Sequence, residues 1–356
     1  PDTSRPTSKG VHPQRFGSRN APSAMYMAFS PAFHFVPKEA HYVDSQFWDG
    51  RAATLEEQAK GPFLNPLEMA NPDRRAVVEK VRRAAYAGMF DKVYGKDALK
   101  EVDPAYERIA AALAAFERGP ELQPLSPRYD AWLAGKAKLT RQEQRGLKLY
   151  EDEKKGNCTA CHPNQRGPKG EPPLFTDFTY DNLGVPRNPA NPFYGQDKAH
   201  NPDGQRFVDR GLGAAGNQPT EDGKIKVPTL RNIARTAPYM HNGYFTTLRG
   251  AVAFYNERDV RKRCPKDLPE AEANRRKCWP APEVAANVNT DELGRLGPSE
   301  REVDDIVAFL RTLDDGYEPE RCKANTEQFI AKEVFALFGY VGTPTSLAAL
   351  PLVNQA

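Results

Sequence analysis

The sequence predicts a mainly α-helical, loop-rich chain of two small domains, and three observations carry that expectation. Apolar residues recur at helical spacing in separate stretches of both halves. Pro (32) and Gly (26) are abundant enough to cut the chain into short elements joined by turns. Cys158-Thr159-Ala160-Cys161-His162 is a Cys-x-x-Cys-His run. Two thiols at that spacing can each add across a vinyl group of one haem, and the next residue then offers an imidazole nitrogen to the iron. A zinc pair would need further Cys or His partners at ligand spacing, and none adjoins the run. At 356 residues the chain is too long for one small cytochrome and has room for two haem-sized domains, so the expected fold is two cytochrome c-like haem domains, with haem c attached at Cys158 and Cys161 in the second.

Residues 1 to about 50 are dense in turn formers and read as a loop segment. Helical patterning starts at Thr54, where Leu55 and Ala59 share a face. Pro72-Asp73 opens a second helix bearing Val77, Val78, Val81 and Ala84, and Pro104 a third bearing Ile109, Leu113 and Phe116. The turn-rich stretch from Gly119 to Pro127 closes an N-terminal domain over residues 1–128. The second half restarts with Thr140-Arg-Gln-Glu143, a capping-box pattern, followed by Gly146, Leu147 and Tyr150 just ahead of the cysteine run. Ser299-Glu-Arg-Glu302 is a second capping box, and Val303, Ile306, Val307 and Leu310 make one apolar face. A C-terminal cytochrome c domain over 129–316 follows from these two boundaries, with 317–356 as a C-terminal extension.

A net charge of +3, from 50 basic and 47 acidic residues, gives no reason to expect nucleic acid or an anionic membrane as partner. No apolar run approaches membrane-spanning length and no charged-then-apolar leader precedes Pro1, so the chain reads as soluble and already trimmed. Cys264 and Cys278 flank a charged insert without a helical apolar pattern, Pro265 to Lys277, which reads as a disulfide-closed loop. That bridge and thiol-attached haem both point to an oxidising compartment, the periplasm of a bacterium. Cys322 has no assigned role.

Four stretches then carry a resemblance. Phe47-Trp-Asp-Gly-Arg-Ala-Ala-Thr-Leu-Glu-Glu-Gln-Ala-Lys-Gly-Pro62, Asn65-Pro-Leu-Glu-Met69, Asp177-Phe-Thr-Tyr-Asp-Asn-Leu-Gly-Val-Pro186 and Arg235-Thr-Ala-Pro-Tyr-Met-His-Asn-Gly243 resemble the bacterial dihaem cytochrome c peroxidases, a family that includes the methylamine dehydrogenase maturation enzymes. Asn287-Val-Asn-Thr290, with the helix ending at Leu313, is similar to that family's C-terminal portion, so the likeness runs in order from Gly10 to Asp315. The family has two Cys-x-x-Cys-His runs, the first shortly before the segment matching Arg19-Asn-Ala-Pro22, yet no cysteine precedes Cys158 here. A chain truncated just after that point is expected over a natural loss, and the first haem, in the N-terminal half, is inferred.

The resemblance implies roles residue by residue. Glu68 matches the distal acid/base that takes a proton from hydrogen peroxide and returns it to the leaving hydroxyl, although outside its motif it would read as a solvated loop charge. Gln58 and Pro62 match positions lining the same pocket. Trp48 matches the tryptophan between the two haems, or is a core aromatic. Asn20, Thr236 and Pro238 match the oxygen donors of an interhaem calcium site. His241 matches a histidine near the second haem, or is a hydrogen-bonded structural residue. His162 is the proximal ligand of that haem, and Tyr255 stands where the peroxidases place a methionine, as in the maturation enzymes, or is a helix tyrosine packed on the core. His12 matches a removable distal ligand of the first haem, or is a loop histidine; His34 and His41 are further candidates. The maturation enzymes carry a tryptophan just before the second cysteine run, where this chain has Gly156.

The reading these roles favour is an oxidoreductase that reduces hydrogen peroxide at an N-terminal haem with electrons from a small cytochrome c or copper protein. Tyr255 keeps open a maturation-type oxidase acting on a protein or small-molecule partner, and the single cysteine run keeps open a monohaem electron-transfer protein. A homodimer is one assembly the resemblance allows.

Overall fold

The computed structural model describes residues 4–43, 45–167 and 170–317. Cys322 and the C-terminal extension, apart from Tyr317, lie outside them.

The N-terminal segment carries one hairpin, β1 (His34–Val36) and β2 (His41–Val43), in antiparallel register. The first helix, α1 (Leu55–Leu64), starts where Thr54 accepts from the Glu57 N–H at 3.2 Å and contains Pro62 in its last turn. Next come α2 (Arg74–Arg82), capped by Asp73, α3 (Ala87–Tyr94) and α4 (Val102–Glu117). Pro104 falls in the first turn of α4, where its missing N–H costs no helical bond. Phe63, Val77, Val78, Val81, Phe90 and Ile109 bury together between these helices as one core. The expected helices are all present; α3 is the addition.

The short α5 (Arg128–Leu133) leads into α6 (Arg141–Glu151), and α7 (Leu212–Ala215), α8 (Leu248–Glu257), α9 (Glu270–Arg275) and α10 (Glu300–Leu310) follow. Both capping boxes form, Thr140 with Glu143 and Ser299 with Glu302. The helices they start, α6 and α10, cross in contact at Gly146, where a Cβ would lie 1.9 Å from the Asp305 carbonyl oxygen. Only glycine allows that approach, and the Arg145–Asp305 ion pair beside it locks the crossing. Tyr129, Tyr150, Phe175, Phe245, Phe254 and Phe309 form the centre of this second core.

Two-residue strands complete the frame. Of these, β3 (Tyr180–Asp181) pairs with β4 (Ile225–Lys226), and β5 (Lys262–Arg263) with β6 (Cys278–Trp279). The Cys264–Cys278 disulfide forms as expected. The insert it closes holds α9, against the expectation of no helix there. Its buried Glu270 accepts from the Thr246 N–H and hydroxyl, each at 2.7 Å, and Glu272 pairs with Arg275 and Arg276. Tertiary anchoring and local ion pairs replace the missing apolar face. Among the described residues no helix is long and apolar enough to cross a membrane.

Candidate functional site

One cavity of about 1050 Å³ is walled by both halves of the chain. Ordinary ligand pockets run to roughly 1,000 Å³, so it has room for a large flat cofactor.

Cys158, Cys161 and His162 reach the cavity from a 3-10 turn (Cys158–Ala160) entered through Asn157 in the left-handed conformation. The His162 N–H donates to the Cys158 carbonyl at 2.9 Å, which closes the turn that carries both thiols. His162 is buried, and its Nδ1 donates to the Phe175 carbonyl at 2.8 Å. That bond leaves the lone pair on Nε2, the tautomer a metal ligand requires. Burial pushes the imidazole down to about 4, so it stays neutral. Phe175 is fully buried at φ 55, a backbone conformation costing about 1–3 kcal/mol for a bulky residue, and its carbonyl meets the imidazole.

Burial raises both thiols, Cys158 to about 12, so neither is poised as a thiolate. Protonated thiols beside apolar walls that include Leu183, Val185, Leu248 and Ile306 suit thioether attachment of a large apolar ring. The chemistry of this donor set and the space before it fit haem c. Tyr255, from the last turns of α8, lines the same cavity. Burial pushes its phenol up, so the side chain is neutral unless a cation such as iron faces it.

Glu68 is held over the cavity by a turn built on α1. The Asn65 side chain accepts from the Leu67 N–H at 3.0 Å, the Asn65 carbonyl accepts from Glu68 and Ala70, each at 3.0 Å, and Pro62 accepts from Met69 at 3.2 Å. A second strap comes from the N-terminal segment, where Val11 donates to the Glu68 carbonyl at 2.7 Å. Gly10 permits this, because a Cβ there would lie 2.2 Å from the Leu67 carbonyl oxygen. Burial raises the Glu68 carboxyl, with Arg51 opposing. Gln58 and Pro62 line the cavity from α1.

The two halves meet at Trp48, whose indole N–H donates to the Asn20 carbonyl at 2.7 Å while its own carbonyl accepts from Lys226 at 2.9 Å. Asn20 donates from its side chain to the Pro238 carbonyl and from its main chain to the His241 carbonyl. Asn20, Thr236, Pro238 and His241 thus share one wall of the cavity with Trp48. The Nε2 of His241 is buried without a hydrogen-bond partner among the described residues, and burial lowers its pKa to about 4. His12 is exposed and stands outside the cavity wall, although Gly10 and Val11 belong to it. His34 and His41 sit on the β1–β2 hairpin, also outside that wall.

Gly156 has no room for a side chain: a Cβ would lie 2.1 Å from the Leu149 carbonyl oxygen. A tryptophan at this place is sterically excluded by the backbone as folded.

Other cavity residues had no sequence signal of their own. Arg19 bridges Asp209 at 2.6 and 2.7 Å and Asp49 at 2.6 Å, and Asp49 holds Arg51 at 2.8 Å. Burial pushes Glu117 and Glu283 each up to about 7. An acid closing a helix, as Glu117 closes α4, was the one clue available, since the helix dipole disfavours negative charge there.

A family model described as di-haem cytochrome c peroxidase matches residues 1–138. The chain is 41% identical over 318 residues to the methylamine utilization protein MauG of Paracoccus denitrificans, covering 88% of this chain and 78% of that one. The chain belongs to the di-haem cytochrome c peroxidase family. Within that family it is 30% identical over 286 residues to the cytochrome-c peroxidase IdrP1 of Denitromonas iodatirespirans, and spans 65% of that protein's length. Its fold is similar to the crystal structure of the diheme peroxidase BthA from Burkholderia thailandensis, with TM-score 0.74 and 33% identity over 88% of this chain and 76% of that one. Family membership makes the protein an oxidoreductase of c-type haem chemistry, as the cysteine run predicted.

Proposed function

We propose that the protein reduces hydrogen peroxide with electrons from a small redox protein, a cytochrome c or a copper protein. The observation that carries this reading is a half-buried carboxyl, Glu68, in the same cavity as the Cys-x-x-Cys-His run. Haem c, when bound, supplies a redox-active iron. His162 would hold one iron through Nε2, Cys158 and Cys161 its ring, and Tyr255 would be a further ligand on this electron-receiving side; peroxide would be met on the Glu68 side, at an N-terminal haem.

The residues of the chain do the rest. Glu68 takes the proton of one peroxide oxygen and returns it to the other as the O–O bond breaks, a task suited to a carboxyl whose pKa burial raises above its ordinary value. Gln58 and Pro62 bound the pocket in which peroxide is held. Trp48 offers an oxidisable ring between the two halves, and Asn20, Thr236 and Pro238 supply oxygen donors of the kind calcium takes. Two separate hydrophobic cores support a division into haem domains at 1–128 and 129–316. The Cys264–Cys278 bridge supports the periplasm as its location.

A maturation-type oxidase is the second reading, favoured by Tyr255 and by the likeness to MauG. Gly156 weighs against it, because the position cannot carry a tryptophan. Stopped-flow mixing of the full-length holoprotein with hydrogen peroxide separates the two. Rapid turnover with a reduced cytochrome supports the peroxidase; a long-lived oxidised spectrum without donor turnover supports the oxidase. Haem quantitation on the same protein, with two per chain expected, tests the monohaem carrier.

A further inference from the structure

We propose that Glu117 is a second proton-holding residue of the cavity, relaying protons from solvent toward Glu68 during peroxide reduction. The inference rests on the peroxidase reading and adds a residue to it.

Glu117 closes α4, and Leu113, one turn earlier on the same helix face, lines the cavity with it. The two face a wall to which α1 contributes Gln58, Ala59 and Pro62. The Glu117 carboxyl has no hydrogen-bond partner among the described residues. Its neighbour Arg118 is committed elsewhere, to both carboxylate oxygens of Glu56. Arg118 and Glu56 are the charged groups felt by Glu117; Lys60 and Glu107, further along α1 and α4, are paired with each other. An unpaired carboxyl at a helix C-terminus, against an apolar wall, is stable as the neutral acid. Burial accordingly raises it to about 7.

A neutral acid that titrates near physiological pH can release and regain a proton at little cost. The reaction requires this: one peroxide, two protons and two electrons from the reduced donor give two waters. Glu68 only shuttles a proton between the peroxide oxygens, so the two consumed protons must come from outside. Glu117 reaches the cavity while its neighbours Arg118 and Glu56 are exposed or half-buried at the surface, so it joins solvent to the site. It gives its proton to cavity water on the Glu68 side and is reprotonated from solvent.

The test uses the holoenzyme and its Glu117→Gln and Glu117→Asp variants. The infrared difference between wild type and Glu117→Gln should show a protonated-carboxyl band that fades as pH rises through about 7; taking this difference cancels Glu283, which titrates in the same range. In that variant kcat for peroxide should fall at least about tenfold with KM little changed, and the pH profile should lose its dependence near neutrality. Glu117→Asp should recover part of the rate, which a packing role would not predict. The absence of such a band from the wild-type-minus-variant difference, or its presence with unchanged kcat and pH profile in Glu117→Gln, overturns the relay. Failure of the peroxidase reading is distinct: the wild-type protein would then not turn over peroxide, or Glu68→Gln would turn it over normally.

Discussion

Trp48 donates its indole N–H to the main-chain carbonyl of Asn20 at 2.7 Å, and the Asn20 side chain in turn contacts the Pro238 carbonyl. The ring proposed to carry electrons and the donors proposed to hold calcium are therefore one mechanical unit. A cation drawn to the Asn20 and Pro238 oxygens would fix the carbonyl on which the indole hangs. Stripping calcium with a chelator should lower peroxide turnover by up to about 100-fold, the scale of a misplaced functional group. Calcium should restore it, and Mg²⁺, which demands a tighter octahedral shell, should not. Trp48→Phe should lower turnover by itself, and chelation of that variant should add little, because both perturbations act on one element. Fully additive effects in steady-state assays would separate the two sites.

Replacing Glu68 by Gln keeps the volume and the turn from Asn65 to Ala70, whose bonds are made by main-chain atoms and the Asn65 side chain. What it removes is the exchangeable proton. Peroxide turnover should fall about 100- to 10,000-fold, the range for loss of a general acid/base, with haem content and absorption spectrum unchanged. Rapid-mixing kinetics at several peroxide concentrations check this, and wild-type rates would take Glu68 out of the mechanism.

Much of this arrangement was legible because it is written locally. A capping box joins residues three apart, so Thr140 with Glu143 and Ser299 with Glu302 announced the ends of α6 and α10 without tertiary information. The haem run and the disulfide were visible for the same reason. What the local pattern misread was α9, whose stability comes from the distant Thr246 bonding Glu270. It was equally silent on Arg19, joined to Asp209 across 190 positions, and on Glu117 and Glu283, whose character comes chiefly from burial and then from charges brought near by the fold. The motif resemblance named Glu68 and Trp48; their straps from Val11 and Lys226 required the fold.

Tyr255 faces the cavity as a neutral phenol, and an iron opposite would draw off its proton to gain an anionic ligand. Such a ligand stabilises the higher oxidation state. Tyr255→Met substitutes a neutral thioether, which favours ferrous iron, so the potential of the His162-side haem should rise. A change of tenfold in the relative stability of the two oxidation states corresponds to about 59 mV for one electron, and a shift of at least that size is expected in spectroelectrochemical titration. An unmoved potential would make Tyr255 a core residue of α8 and remove the main support for the oxidase alternative.

Glu283 should make stability depend on pH in the direction opposite to most carboxylates. Burial is the larger cause of its raised pKa and the neighbouring Asp209 the next, with the Asp209 N–H, Arg187 and the Tyr194 hydroxyl opposing. Its pKa is about 7 folded against an ordinary 4.5, so between those values the folded state holds a proton that the unfolded state has released. Stability therefore falls as pH rises from about 4.5 and levels off above about 7, where both states are ionised and the buried charge is fully felt. At 1.36 kcal/mol per pKa unit the penalty at pH 8 is at most on the order of 3 kcal/mol. Glu283→Gln removes the charge and keeps the shape. Chemical denaturation of the holoprotein should find the variant more stable than wild type at pH 8, with most of that gain gone at pH 5. Equal gains at both values would mean that the substitution acts through packing and that Glu283 is ionised throughout.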